Sequence, residues 1–157
     1  VKHMSQKKAE SLQKFYPDAL IIGSDQVFVD SRQRILGKPG NVGGAIAQLK
    51  AMSGKTHTFY TGLSVLDSVT GKSETDYSTY TVTLRSLSDE QVRTYVQREN
   101  PVDCAGSFKI EGLGIALMES MEGSDYTGLI GLPLILLTGM LQRFGVDPLD
   151  VRSRTLG

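Results

Sequence analysis

The spacing of apolar residues predicts that helices and strands alternate along this chain. Residues 1–16 place Met4, Leu12 and Phe15 on one helical face, which predicts a helix that packs through these side chains. Residues 19–22 are continuously apolar, and such a run is typical of a strand covered on both faces. The first predicted elements are therefore a helix and a buried strand.

Turn and capping residues delimit the other elements. Asn41 is a suitable helix cap, and Ser88-Asp89-Glu90-Gln91 has the sequence of a capping box. The predicted elements are a helix over 42–52, a hairpin of strands 55–65 and 73–85, a helix that follows the capping box and stops before Pro101, a strand over 115–121, and a helix from Pro133 to near Gly145. The pattern predicts one domain over residues 1–157, of α/β or mixed α+β class, with helices flanking a mixed sheet.

Composition and charge narrow the range of partners. Of the 157 residues, 39% are hydrophobic and 22% are charged, as in an ordinary globular domain with a core. The 17 basic and 17 acidic residues cancel, so no global field favours nucleic acid or an anionic membrane. The longest apolar stretch, residues 128–141, is too short to span a membrane and contains Pro133 and Gly139. We therefore predict a soluble protein with neither nucleic acid nor a membrane as partner.

Cysteine and histidine indicate no catalytic chemistry. The single cysteine, Cys104, cannot form an internal disulfide, which is typical of the reducing cytoplasm. We interpret Cys104 as a small, half-buried hydrophobic residue and not as a nucleophile. His3 and His57 have no partners at the spacing of a metal site or a catalytic triad, so a structural or an exposed position is predicted for both.

The candidate chemistry begins after the first apolar run. The predicted strand is followed by an acid and an amide, in the sequence Ile21-Ile22-Gly23-Ser24-Asp25-Gln26. Ligands commonly bind beyond the strand ends of such sheets. A carboxylate there can deprotonate water or hold a divalent cation. Lys38 follows on the turn Gly37-Lys38-Pro39 and offers a cation for phosphate. On residue pattern alone, Asp25 could equally be a turn aspartate, and Lys38 an exposed turn lysine.

A second polar segment surrounds Glu111. Residues 104–114 combine this carboxylate with glycine and other small residues, so the backbone can approach a ligand closely. The alternative is a flexible connection that leads into the next strand. The residue pattern does not separate these two interpretations.

Taken together, these motifs resemble the Maf family of nucleoside triphosphate pyrophosphatases. The resemblance extends over residues 7–148 and rests on segments that occur in the family's order: 20–27, 37–39, 59–63, 87–88, 106–108, 111–112 and 129–133. It implies a Maf or inosine-triphosphatase-like fold, with an elongated mixed sheet and flanking helices.

The resemblance implies an activity and a set of site residues. Members of the family hydrolyse a nucleoside triphosphate to the monophosphate and pyrophosphate with a divalent cation, for which Mg, Mn and Co are the candidates. Asp25 matches the family's catalytic aspartate and would share a role in holding the metal. Lys38 and Lys8 match lysines expected to face the phosphates. A nucleotide substrate, a cytoplasmic location and a homodimer are the corresponding expectations.

Gln26 and Glu111 resemble the 7-methyl-GTP pyrophosphatase branch, whereas members acting on dTTP and UTP carry threonine and glutamine at these positions. Guanine presents two hydrogen-bond donors, N1–H and an exocyclic amine, and the Glu111 carboxylate can accept hydrogen bonds from both. Methylation at N7 makes the ring cationic, which strengthens bonds to a negative group. Gln26 can donate to O6 through its amide. The expected function is removal of a modified nucleotide.

The family's pattern also contains a leading strand and a Ser-x-Ser-x-Arg-Arg phosphate loop that this sequence does not contain. We therefore expect this chain to be N-terminally truncated. We also expect its own activity to be low, because paired arginines bind phosphate in a bidentate manner that one lysine cannot replace. Two alternatives remain at this point. One is a non-catalytic nucleotide-binding or septum-related regulatory remnant, and the other is a pyrophosphatase for another non-canonical nucleotide.

Overall fold

The computed structural model describes residues 1–150, which form a five-stranded sheet flanked by helices. The sheet has the strand order β2-β1-β3-β4-β5. The strands are β1 Leu20–Val29, β2 Ile35–Leu36, β3 Thr56–Asp67, β4 Ser73–Leu84 and β5 Met118–Gly123. The α-helices within this range are α1 Lys2–Glu10, α2 Val42–Met52, α3 Asp89–Glu99, α4 Tyr126–Ile130 and α5 Leu134–Arg143.

The predicted class, helices around one sheet, is confirmed, but the sheet is antiparallel and not mixed. β1 pairs with β2 through the register Phe28↔Leu36, and β4 pairs with β5 through Tyr80↔Gly123. The long hairpin predicted for residues 55–85 is confirmed as β3 and β4. Short turns join β1 to β2 and β3 to β4, and strands joined in this way return antiparallel to each other.

The backbone divides into two compact units, each with its own core. Unit 1 comprises Val1–Gln26, Thr61–Ser78 and residues 125–150, and unit 2 comprises Val27–Tyr60 and Thr79–Ser124. In unit 1 the core clusters are formed by Leu63, Val65, Leu137 and Met140, and by Ala9, Ile21 and Leu66.

Phe28 lies in an aromatic cluster of unit 2. Its ring centroid is 4.5 Å from that of Phe59 and 5.7 Å from those of Phe108 and His57. His57 is buried, accepts from the Ser31 N–H at Nδ1 (3.2 Å), and has Nε2 3.0 Å from a backbone carbonyl. Burial lowers the pKa of His57, so the neutral ring is favoured. The structural position predicted for this histidine is confirmed.

Both central helices begin with the caps that the sequence predicted. The Asn41 side chain accepts from the Gly44 N–H at 2.7 Å at the start of α2. At the start of α3, Ser88 and Gln91 form both bonds of the capping box. Caps satisfy backbone donors that have no partner inside the helix, so short sequence signals suffice to define these starts.

The helix predicted over residues 1–16 is shorter, and its predicted buried face is wrong. α1 ends at Glu10, and Met4, Leu12 and Phe15 are exposed. The buried residues of α1 are Ser5 and Ala9. Small side chains are buried here because the helix backbone packs directly onto β1.

β1 extends beyond the strand predicted over residues 19–22. It continues through Asp25 to Val29, so Asp25 and Gln26 lie within the strand and not beyond its end. Ile22 is 42% exposed, which corrects the prediction that both faces are covered. β5 begins at Met118, later than predicted, because Leu113–Leu117 form a 3₁₀ helix. None of the helices within residues 1–150 has the length and apolarity needed to cross a membrane.

Candidate active site

Asp25 forms an ion pair with a lysine of α1. The Lys8 Nζ donates to Asp25 Oδ1 at 2.9 Å and to the Ser24 carbonyl at 3.0 Å. The Asp25 side chain is 19% exposed and the Lys8 side chain is 51% exposed, so solvent reaches both groups. Asp25 Oδ2 accepts no hydrogen bond from residues 1–150, which leaves this oxygen available to a ligand.

Gly23 explains why α1 lies so close to β1. A Cβ at this position would lie 2.7 Å from the Ala9 nitrogen and would also overlap the Ser5 carbonyl. Asp25 is two residues further along the strand, so it lies on the same face as Gly23. Lys8 precedes Ala9 directly in α1. The close backbone contact at Gly23 therefore brings the Lys8 ammonium to the Asp25 carboxylate.

Gln26 lies on the opposite face of β1 from Asp25, since side chains alternate along a strand. Its Nε2 donates to Thr61 Oγ1 at 3.0 Å and to the carbonyls of Gly128 and Leu129 at 2.9 and 3.2 Å. An amide nitrogen carries only two hydrogens, so a bond from it to guanine O6 would require release of protein contacts. The role of Gln26 as a base-reading donor stays a prediction.

Ser24 lies on the same face as Gln26 and binds the same part of unit 1. Its hydroxyl lies 3.0 Å from the Gly62 carbonyl and 2.9 Å from the Gly131 carbonyl. Ser24 and Gln26 together fasten β1 to residues 128–131, which precede α5. Sequence reasoning missed this contribution of Ser24, although both segments belong to the motif pattern.

Lys38 and Glu111 are exposed residues of unit 2 on two loops that are joined. The Gly40 N–H donates to the Val102 carbonyl at 3.0 Å, which ties the turn after β2 to the segment leading to Glu111. The pKa of the nearby Cys104 thiol is raised, mainly by burial. The charge of Glu111 also raises this pKa, and the charge of Lys38 lowers it. Neither charge has a hydrogen bond or ion pair within residues 1–150.

A left-handed turn directs the segment that carries Glu111. Gly106 has φ +74°, and a Cβ there would lie 2.7 Å from a carbon of the Phe28 ring. Ser107 also has a positive φ, and its hydroxyl donates to Gln48 Oε1 at 2.5 Å. Glycine is needed at 106 because any side chain would overlap the aromatic cluster. The start of this segment is therefore packed against the core of unit 2.

Asp25 is the carboxylate that the sequence indicated as a metal ligand. No cluster of three or more His, Cys, Asp or Glu side chains suited to a metal ion occurs within residues 1–150. Mg²⁺ commonly uses one or two protein carboxylates and completes its shell with water and substrate phosphates. One carboxylate with an open Oδ2 fits a cation that arrives with a triphosphate. The metal itself stays a prediction.

The structure places the predicted site residues in two groups. Lys8 and Asp25 are paired in unit 1, with Gln26 on the other strand face, while Lys38 and Glu111 lie on joined loops of unit 2. Sequence reasoning also missed the buried or partly buried polar residues that hold these groups in place. Those are Ser24, Thr61, Tyr95 and Glu99, whose hydrogen bonds to distant segments leave no local pattern in the sequence.

The fold and these motifs define one class of protein. The family profile described as "Maf-like protein" matches residues 1–144 of this chain. The chain therefore belongs to the Maf family, and the resemblance seen in its motifs is confirmed.

Several curated relatives share one description. A protein of Syntrophotalea carbinolica named 7-methyl-GTP pyrophosphatase is 63% identical over 146 residues, which cover 93% of this chain and 74% of the relative. Proteins of the same name from Pseudomonas putida and Pseudoalteromonas translucida are 52% and 48% identical. Their matches cover 93% and 99% of this chain, respectively, and 76% of each relative.

Proposed function

We propose that this protein is a nucleotide pyrophosphatase that hydrolyses 7-methyl-GTP to 7-methyl-GMP and pyrophosphate. The observation that carries the proposal is the Lys8–Asp25 pair, in a chain 63% identical to a relative of that name. The pair combines a carboxylate that has an open oxygen with a cation that can turn to phosphate. Such a pair supplies the two functions that phosphate anhydride hydrolysis requires of side chains.

In the proposed reaction, Asp25 takes a proton from a water molecule. The water oxygen attacks the α-phosphorus, the bond from this phosphorus to the oxygen that bridges the α- and β-phosphates breaks, and pyrophosphate leaves. Lys8 stabilises negative charge on the phosphates, and Lys38 is proposed to do the same from its exposed turn. Positioning and charge stabilisation dominate because phosphoryl transfer needs little covalent chemistry from the protein.

We propose Mg²⁺, Mn²⁺ or Co²⁺ as the cofactor. Asp25 would hold the ion together with phosphate oxygens of the substrate, and the open Oδ2 supports this assignment. A bound divalent cation neutralises phosphate charge and orients the substrate. We also propose that the protein acts in the cytoplasm, in keeping with its unpaired Cys104.

Glu111 is proposed to recognise the base. Its carboxylate is exposed and has no hydrogen bond or ion pair within residues 1–150. It can therefore accept bonds from N1–H and the amine of guanine, and its charge complements the cationic 7-methyl ring. A preference for 7-methyl-GTP over pyrimidine nucleotides follows from this chemistry.

The proposal is tested by nucleotide hydrolysis with the protein expressed from its complete gene. The substrates are 7-methyl-GTP, GTP, dTTP and UTP, each with and without Mg²⁺, Mn²⁺ or Co²⁺, and the products are identified as monophosphate and pyrophosphate. We expect kcat/KM for 7-methyl-GTP to exceed that for dTTP and UTP by at least about tenfold, since one charged hydrogen bond is worth about that much. Preferred hydrolysis of dTTP or UTP, or release of single phosphates, would contradict the proposal.

A further inference from the structure

Two side chains of α3 hold the turn that carries Glu111. The Lys109 N–H donates to the Tyr95 hydroxyl oxygen at 2.9 Å. The Leu113 N–H donates to Glu99 Oε1 at 2.8 Å. These donors lie two residues before and two residues after Glu111, so the turn is held on both sides of the carboxylate.

The spacing of the two acceptors suits this task. Tyr95 and Glu99 are four residues apart, and such residues lie on the same face of a helix one turn apart. α3 is well anchored, since Val92 and Val96 are buried and its start has a complete capping box. Tyr95 itself is only 3% exposed. The acceptors are therefore fixed before any ligand binds.

Gly112 allows the turn to lie directly on the Glu99 carboxylate. A Cβ at this position would be 2.9 Å from both carboxylate oxygens of Glu99. The turn also closes on itself, because the Gly112 and Gly114 N–H groups donate to the Lys109 carbonyl at 3.3 and 3.0 Å. The backbone on both sides of Glu111 is thus fastened, while its own carboxylate has no hydrogen-bond partner within residues 1–150.

The chemistry of Tyr95 keeps this arrangement intact at ordinary pH. Burial is the main cause that raises the pKa of Tyr95 to about 12. The hydrogen bond from the Lys109 N–H, the next largest effect, lowers this pKa, and the charges of Glu99, Cys104 and Glu111 raise it by smaller amounts. The phenol is therefore neutral at physiological pH. It remains a stable acceptor for the Lys109 N–H and places no additional charge beside Glu111.

We infer that Tyr95 and Glu99 are positioning residues that set the base preference of the enzyme by holding the Glu111 turn. The inference rests on the proposed function, in which Glu111 binds the base. A carboxylate held in one place contributes more to binding because less freedom is lost when the ligand arrives. Loss of either backbone bond would let Glu111 move, so discrimination between bases would fall more than general activity.

The test compares variants that remove an acceptor with variants that keep it. Tyr95→Phe and Glu99→Ala each remove one acceptor, whereas Glu99→Gln keeps an oxygen for the Leu113 N–H and removes only the charge. Gln97→Ala, at an exposed position of the same helix, serves as the matched control. For each variant, kcat and KM are measured with the nucleotide that the wild type prefers and with the nucleotide that it uses least well. The ratio of the two kcat/KM values is the preference ratio.

We expect Tyr95→Phe and Glu99→Ala to lower the preference ratio by about tenfold, the effect of one hydrogen bond, mainly through KM. Glu99→Gln and Gln97→Ala should keep the ratio within about twofold. Equal losses on both bases, or a lower melting temperature with an unchanged ratio, would overturn the inference and leave a purely structural role. If the wild type preferred another nucleotide over 7-methyl-GTP, the proposed function would be refuted. The preference ratios of the variants would still test the positioning role.

Discussion

Lys8 and Asp25 are 17 residues apart in sequence, yet the Lys8 Nζ lies 2.9 Å from Asp25 Oδ1. The lysine side chain is half exposed, and a pair of this kind contributes only about 0–1 kcal/mol to stability. An incoming phosphate could therefore draw Lys8 from Asp25 at little cost. The pair therefore adds little to stability, and its proposed role in binding substrate is the subject of the next two predictions.

Asp25→Asn should abolish turnover without unfolding the protein. Asparagine keeps the size of the side chain but cannot take a proton or balance the charge of a metal. We expect kcat to fall at least about a hundredfold, the usual range for a lost general base. The measurement is kcat for 7-methyl-GTP, with circular dichroism and melting as checks on the fold and Asp18→Asn as the control. If more than about a tenth of the rate remained, Asp25 would not be the base.

Lys8→Met should weaken substrate binding and leave stability almost unchanged. The phosphates lose a cation, whereas unfolding loses only an exposed ion pair worth about 0–1 kcal/mol. KM for 7-methyl-GTP and the free energy of unfolding in urea are the two measurements. Lys7→Met is the matched control because Lys7 adjoins Lys8 on α1 and is also exposed. Equal effects of the two substitutions on KM would rule out a specific role for Lys8.

Glu111→Gln should reduce activity mainly with 7-methyl-GTP. Glutamine keeps one acceptor oxygen, but its amide NH2 would face a hydrogen-bond donor of guanine. The substitution also removes the negative charge that complements the cationic ring. The expected loss in transition-state binding is about 1–3 kcal/mol. We expect a smaller loss, or a gain, with dTTP and UTP. The comparison requires kcat/KM for all four nucleotides, with Glu122→Gln as control, and a uniform loss would indicate that Glu111 holds metal or structure instead.

Gly23→Ala should destabilise the protein and disturb the Lys8–Asp25 pair. The new Cβ would lie 2.7 Å from the Ala9 nitrogen, so α1 would have to move away from β1. Overpacking of this kind costs about 1–3 kcal/mol. Urea unfolding measures the loss, and Gly37→Ala is the matched control because nothing lies within 4 Å of a Cβ at position 37. Similar stability of both variants would show that α1 can shift without cost.

Asp30 should make stability depend on acid pH. The Arg34 N–H and then the Arg34 guanidinium lower the pKa of Asp30 from 3.8 to about 2, with a smaller effect from the Arg32 N–H and opposition from burial. Because the pKa is lower in the folded state, the stabilisation is complete above pH 3.8 and is lost as the pH falls through about 2. Urea unfolding of the wild type and Asp30→Asn between pH 2 and pH 6 checks this. A difference between the two proteins that stayed constant across this range would contradict the assignment.

Local signals account for the elements that were predicted correctly. The α2 and α3 starts follow from Asn41 and the Ser88–Gln91 box, and the β3–β4 hairpin follows from strand periodicity. Each of these signals acts over a few neighbouring residues, through hydrogen bonds to adjacent backbone or through alternation along a strand. Periodicity predicted the wrong buried face for the first helix, because Met4 is exposed and the small residues Ser5 and Ala9 pack against β1.

The sequence by itself determined the family and the class of fold, and it predicted the residues of the candidate site, because motif order and periodicity are properties of short segments. Only the tertiary structure decided that Lys8 reaches Asp25 and that Gln26 bonds to the carbonyls of residues 128 and 129. It also revealed that Tyr95 and Glu99 hold the Glu111 turn. These relationships depend on close approach between segments distant in the chain, and no local pattern of residues encodes such contacts.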